Sequence, residues 1–136
     1  AIPNQLNNIT IFLNNSNGNT NSSQVFFTLD TLAPVASYTS STPNNETLNT
    51  NDVTVNVTLT ETPSSALLEW NGTNYTMNGQ GLSRFYSFND IGDGNYSFRV
   101  YANDSLGNSN FTAFRWAYIN VTRNFSSFIS NLCPSN

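Results

Sequence analysis

Apolar and polar residues alternate along most of this 136-residue chain. Turn residues break the alternation about every ten positions, the spacing of a β-sandwich or barrel. The clearest strand is "VTVNVTLT" at Val53–Thr60, with Val53, Val55, Val57 and Leu59 on one side and Thr54, Asn56 and Thr58 on the other. "ALLEW" (Ala66–Trp70) and "TNYTM" (Thr73–Met77) follow, joined by Asn71-Gly72. An Asn-Gly pair between such runs predicts a two-residue hairpin, because a type I′ turn needs positive φ at both central residues. "RFYSF" (Arg84–Phe88) is a further strand. After the turn "NDIGDGN" comes "YSFRVYA", with Tyr96, Phe98, Val100 and Ala102 in phase. The loop "NDSLGNSN" leads to "FTAFRWAYI", where Phe114, Trp116 and Tyr118 share a face that the pattern assigns to the core. Val35–Tyr38, entered through Pro34, reads as a first edge strand. About seven strands thus lie between Ala33 and Asn120, and no 3.6-residue stripe is left for a helix there.

The chain also writes one turn twice. Phe12–Asn19 reads "FLNNSNGN" and Tyr101–Asn108 reads "YANDSLGN". Asn14, Ser16, Gly18 and Asn19 recur as Asn103, Ser105, Gly107 and Asn108, an offset of 89. The same ungapped offset lays Ile9, Ile11 and Leu13 on Phe98, Val100 and Ala102, and Val25, Phe27 and Leu29 on Phe114, Trp116 and Tyr118. Common turn chemistry accounts for Asn and Gly in both turns, but not for the apolar phase kept on either side. A period of one domain length points to an architectural repeat. Residues 1–32 then read as an orphan hairpin equivalent to the last two strands of a preceding repeat, 33–120 as a complete sandwich, and 121–136 as a tail.

A hairpin without its sandwich is unstable in water. The missing strands lie either upstream in a tandem array or on another subunit, to whose open sheet the hairpin adds by strand addition. The second arrangement is head-to-tail between copies of the chain, and it runs on into a filament where the rotation does not close. The strand-adding face is Ile9, Ile11, Leu13, Val25, Phe27 and Leu29. In the tail, Phe125, Phe128, Ile129 and Leu132 are spaced for one face of a short helix. Its Asn, Ser and Thr are weak helix formers, and an extended segment on a neighbour fits equally well.

Composition adds a setting. Only 9% of residues are charged, with net charge −4, no Lys and no His, whereas 25 are Asn, 17 Ser and 16 Thr. The four Arg are scattered, which argues against nucleic acid as a partner. The triplet Asn-x-Ser/Thr occurs twelve times, at Asn8, Asn14, Asn21, Asn45, Asn56, Asn71, Asn74, Asn95, Asn103, Asn110, Asn120 and Asn124. Chance in so Asn-rich a chain gives roughly half that number. N-linked glycans on several of them would hydrate a surface poor in charge and place the protein outside the cell. Cys133, the only cysteine, permits no intrachain disulfide; it either joins two chains or stays unpaired. No apolar run reaches membrane-spanning length, and the chain does not open on a signal peptide, as expected of a mature N-terminus or a cut within a longer protein.

Catalytic chemistry is poorly served. Without His or Lys there is no base or nucleophile constellation, and transition metals lack their usual ligands. Calcium is the remaining ion, with Asp90, Asp93 and Asp104 as candidate oxygen ligands on loops; the same residues serve equally as turn formers. Trp70, Trp116 and the tyrosines offer either a sugar-binding platform or core aromatics. No other cofactor is expected.

Two stretches resemble a known family. "LDTLAPVASYTSSTPNNETLNTNDVTVNVTLTE" runs from an Asp-x-x-x-Pro linker through a first strand and a polar turn to a Val/Thr strand. "DGNYSFRVYANDSLGN" is an Asp-Gly-x-Tyr strand followed by Asn-Asp-x-x-Gly-Asn. Both are similar to the immunoglobulin-like repeats of large archaeal and bacterial surface proteins, over roughly Leu29 to Asn120. The resemblance implies an all-β, immunoglobulin-like Greek-key sandwich at the cell surface and names no ligand. Trp70 would take the place of the buried strand-C tryptophan, without the disulfide of antibody domains. The function expected is that of a structural, non-enzymatic module of a surface fibre or pilus-like filament. The alternative is a glycan- or partner-binding adhesin module of a stalk or S-layer-type protein.

Overall fold

The computed structural model describes residues 5–121, and within them the chain is all β with no helix. Eleven strands are formed: β1 Leu6–Asn14, β2 Thr20–Thr28, β3 Ala36–Tyr38, β4 Glu46–Leu48, β5 Val53–Leu59, β6 Ser65–Trp70, β7 Thr73–Thr76, β8 Ser83–Phe88, β9 Gly94–Asn103, β10 Ser109–Phe111 and β11 Arg115–Ile119. They build a two-stranded sheet β1-β2, a three-stranded sheet β3-β5-β8, and a larger sheet ordered β4-β11-β9-β6-β7 with β10 also on β9. The tail residues Phe125, Phe128, Ile129, Leu132 and Cys133 lie outside the described residues.

The two larger sheets face each other over one core. Its inward positions are the alternating ones: Val53, Val55, Val57 and Leu59 on β5, Ala66, Leu68 and Trp70 on β6, and Phe98, Val100 and Ala102 on β9. A strand's period of two supplies this selection directly. Trp70 lies at the centre, its ring stacked 5.4 Å from Phe98 and 5.3 Å from Tyr96, and 4.6 Å from Phe88 on the opposite sheet. The hairpin β6–β7 forms at Asn71-Gly72, whose φ values of 51° and 83° are the positive pair that a type I′ turn requires.

One strand runs in the phase opposite to that expected. On β11 the core takes Ala117 and Ile119, while Phe114, Trp116 and Tyr118 are exposed. The cause is one extra residue. β10 pairs with β9 as Phe111↔Tyr101, whereas β11 pairs as Arg115↔Phe98, so four steps on one strand match three on the other. This bulge at residues 112–114 shifts the register by one and turns over every later side chain. It is held by a relay of hydrogen bonds. The Val100 N–H donates to Thr112 Oγ1 (2.9 Å), Thr112 Oγ1 donates to the Tyr38 hydroxyl (2.7 Å), and Tyr38 donates to the Ala113 carbonyl (3.1 Å). The three-residue strands β4 and β10 are too short to show a period in the sequence.

The hairpin β1–β2 stands apart from this core. Its nine residue pairs run without a bulge from Leu6↔Thr28 to Asn14↔Thr20, and among the described residues neither strand joins another sheet.

Candidate functional site

Three features draw attention: the hairpin faces, the paired turns and the outer face of β11. In the hairpin, Ile9 lies opposite Val25, and Ile11 and Leu13 continue the same face opposite Ser23 and Asn21. Phe27 shares that side by its alternation and is half-buried; Leu29 follows the end of β2. Ile9, Ile11, Leu13, Val25 and Leu29 are exposed. The hairpin therefore places Ile9, Ile11, Leu13, Val25 and Phe27 on one side, and of these only Phe27 is partly covered. The opposite face carries Leu6, Phe12 and Phe26, also exposed, with Phe12 at 75%. At the 89-residue offset Phe12 falls on Tyr101, but Leu6 and Phe26 fall on the polar Asn95 and Arg115, so the repeat singles out the other face.

The two turns have one geometry. Asn15 Oδ1 accepts the N–H groups of Asn17 and Asn19, each at 3.0 Å, and Asp104 Oδ1 accepts those of Leu106 and Asn108 at 2.8 and 2.9 Å. The Asn15 N–H reaches the Asn19 carbonyl and the Asp104 N–H reaches that of Asn108, both at 3.0 Å. Gly18 and Gly107 occupy the left-handed region, with φ of 80° and 91°. The strand pairing agrees as well: moved by 89, Asn14↔Thr20 becomes Asn103↔Ser109, the observed β9–β10 pair. The registers part company only at the Thr112 bulge. Asn108 also donates to Asp104 Oδ2 (2.7 Å) and to the Asp30 carbonyl (3.3 Å), tying the turn to the segment that follows the hairpin. These bonds, the Asn108 side chain first, hold the Asp104 carboxyl below its usual range.

On the outer face of the larger sheet, Trp116 and Tyr118 line a shallow groove of about 390 Å³ with Thr47 and Asn95. Tyr118 lies between Thr47 on β4 and Asn95 on β9, and Trp116 is paired with Ser97. Farther along, the Arg99 guanidinium sits 4.3 Å from the centre of the Phe114 ring and bonds Glu69 at 2.8 Å. Tyr101 donates to the same Glu69 oxygen at 2.6 Å. The Tyr101 hydroxyl and then Arg99 hold the Glu69 carboxyl below its ordinary value. The aromatic platform thus has Trp116 in it, whereas Trp70, 4% exposed, belongs to the core.

The three acidic candidates do not converge: Asp90 and Asp93 line one pocket with Asn51 and Gly92, and Asp104 lies away from it. Asp93 precedes β9 and Asp104 follows it, a separation of about 35 Å along an extended strand. Asp90 accepts from the Asn51 side chain (2.7 Å) and Asp93 from the Val121 N–H (2.9 Å). Among the described residues no three His, Cys, Asp or Glu side chains gather as a metal site, and no helix could cross a membrane. Of the candidate glycan acceptors, Asn8, Asn14, Asn21, Asn45, Asn71, Asn74, Asn95 and Asn120 are exposed, and Asn56, Asn103 and Asn110 are half-buried. Asn124 lies outside the described residues. The Asn56 amide is engaged with Ser41 at 3.3 Å.

No protein-family model and no curated protein sequence matches the chain. Among solved structures it is similar to an engineered protein whose crystal structure was determined at 1.98 Å, with TM-score 0.50 and 14% identity over 68% of this chain and 21% of that one. It also matches SGBP-B of the Bacteroides ovatus mixed-linkage glucan utilization locus, in complex with a mixed-linkage heptasaccharide. There the TM-score is 0.32 and the identity 12%, over 85% of this chain and 30% of that one. The chain spans less than a third of the length of either. The first likeness bears on the fold alone, and the second is too weak to carry an argument.

Proposed function

We propose that the chain is a structural, non-enzymatic module of an extracellular surface fibre, joined head-to-tail to its copies through the β1–β2 hairpin. In this reading residues 33–120 are an immunoglobulin-like Greek-key sandwich. The hairpin corresponds to the last two strands of another such unit and completes it. One observation carries the proposal: two nine-residue strands pair only with each other among the described residues and leave Ile9, Ile11, Leu13 and Val25 exposed. A lone two-stranded ribbon is marginal in water, so a second surface is needed to cover it. The shared turn geometry and register support the correspondence, and the glycan acceptors on the sandwich supply hydration.

Sedimentation and negative-stain imaging of the full chain test this reading. Mass should rise with concentration and filaments should appear, and Ile11→Asp should suppress both. A chain that stays monodisperse at high concentration, with its hairpin amides protected by packing on its own sandwich, rules the assembly out.

The exposed Trp116 favours a second reading, an adhesin module that binds glycans. Its test is a glycan array with unglycosylated protein, where binding must vanish in Trp116→Ala.

A further inference from the structure

The groove beside Trp116 contains its own candidate occupant. Asn95-Tyr96-Ser97 is an acceptor triplet lying within β9. Alternation turns Tyr96 inward against Trp70 and leaves Asn95 and Ser97 exposed on the outer face. Asn95 is paired directly with Tyr118 and Ser97 directly with Trp116. Directly opposed side chains start about 5 Å apart and diagonal ones about 7–8 Å, so a sugar on the Asn95 amide begins at the edge of both rings. No hydrogen bond ties the Asn95 side chain to the described residues, in contrast to Asn56.

We infer that Asn95 carries an N-linked glycan whose first sugars lie on Trp116 and Tyr118. The C–H face of a pyranose ring is apolar, and its hydroxyls point outward. Laid on the indole and phenol rings, it removes aromatic surface from water while presenting a polar exterior. This gives a purpose to two large aromatics that the Thr112 bulge turned away from the core. The glycan is a built-in cover, and the groove is closed to other sugars. The inference rests on the extracellular setting proposed above but not on hairpin assembly.

The test compares the full chain made in a secreting host that N-glycosylates with the same chain from a host that does not. Glycopeptide mass reads occupancy at each acceptor, and acrylamide quenching reads Trp116, because buried Trp70 is out of the quencher's reach. Asn95 should be occupied, and quenching in the glycosylated protein should fall by about half or more. Ser97→Ala removes the triplet at an exposed position and should restore full quenching. Thr73→Ala, which removes the neighbouring Asn71 triplet at an exposed position outside the groove, should leave the protection in place. In unglycosylated protein both variants should quench like the parent, which controls for folding. The inference is overturned if Asn95 is bare while other acceptors are occupied. It is equally overturned if Asn95 is occupied and Ser97→Ala leaves quenching unchanged, or if Thr73→Ala alone removes the protection. A chain with no acceptor occupied at all overturns the glycosylated extracellular reading as well.

Discussion

Asn15 and Asp104 stand 89 positions apart and make the same bonds: each side-chain Oδ1 accepts the backbone N–H groups two and four residues further on. An amide oxygen and a carboxylate oxygen are interchangeable in that role. The difference is the second oxygen, which in Asp104 accepts from the Asn108 side chain.

Asp104→Asn should therefore fold with its turn intact. The loss of stability should be smaller than for Asp104→Ala, which leaves the Leu106 and Asn108 N–H groups without their acceptor. Asn19 is identical to Asn108 under the offset, so Asn15→Asp should gain the extra bond that Asp104 makes. Urea midpoints of the three variants at neutral pH give the order.

Acid should weaken the sandwich through two carboxylates. Asp104 and Glu69 both titrate below their usual values when folded. A depressed folded pKa means that the unfolded chain binds the proton more tightly, so the contribution is complete at neutral pH. It begins to fade as pH falls through about 4, the ordinary carboxylate range, and is gone below the folded values. The urea midpoint should be level from pH 7 to about 5 and then drop. Glu69→Gln and Asp104→Asn should each flatten that drop while lowering the neutral plateau.

The legible part of this fold is where one period runs unbroken. β5 keeps a strict alternation, β6 and β9 depart from it only at Leu67 and Tyr101, and Asn71-Gly72 announces its turn. The phase of β11 was hidden because both of its faces offer apolar residues, Phe114, Trp116 and Tyr118 against Ala117 and Ile119. The larger side chains suggest the wrong one. A bulge adds a residue without leaving a compositional mark, and its determinant, Tyr38, is 74 positions from Thr112. The echoed turns were visible in the sequence. The exposure of the hairpin's apolar residues on both faces depends on what else the chain packs against, and a pattern within two strands cannot contain that.

The bulge has a testable mechanism. Tyr38→Phe deletes the acceptor of Thr112 and the donor to Ala113 at once and should cost about 1–2 kcal/mol. Thr112→Val leaves the N–H of Val100, a fully buried residue, without its side-chain partner and should cost about 1–3 kcal/mol. The two act on one relay, so the double variant should lose less than the sum. Additivity in a chemical-denaturation cycle would mean that Tyr38 and Thr112 contribute separately and that the relay does not hold the bulge.

The two tryptophans should respond in opposite ways, since one is core and the other surface. Trp70 packs against Phe88, Tyr96 and Phe98 at the junction of both sheets. Trp70→Ala opens a cavity among residues that cannot collapse together and should cost about 3–5 kcal/mol. Trp116 is 40% exposed on an outer face. In unglycosylated protein, Trp116→Ala should change stability by no more than about 0.5 kcal/mol. In protein carrying the Asn95 glycan the same substitution removes the surface on which the sugar rests, so its cost should be larger there. Thermal unfolding of the four proteins separates the cases. Equal costs for Trp116→Ala with and without glycan would mean that the ring and the sugar do not touch.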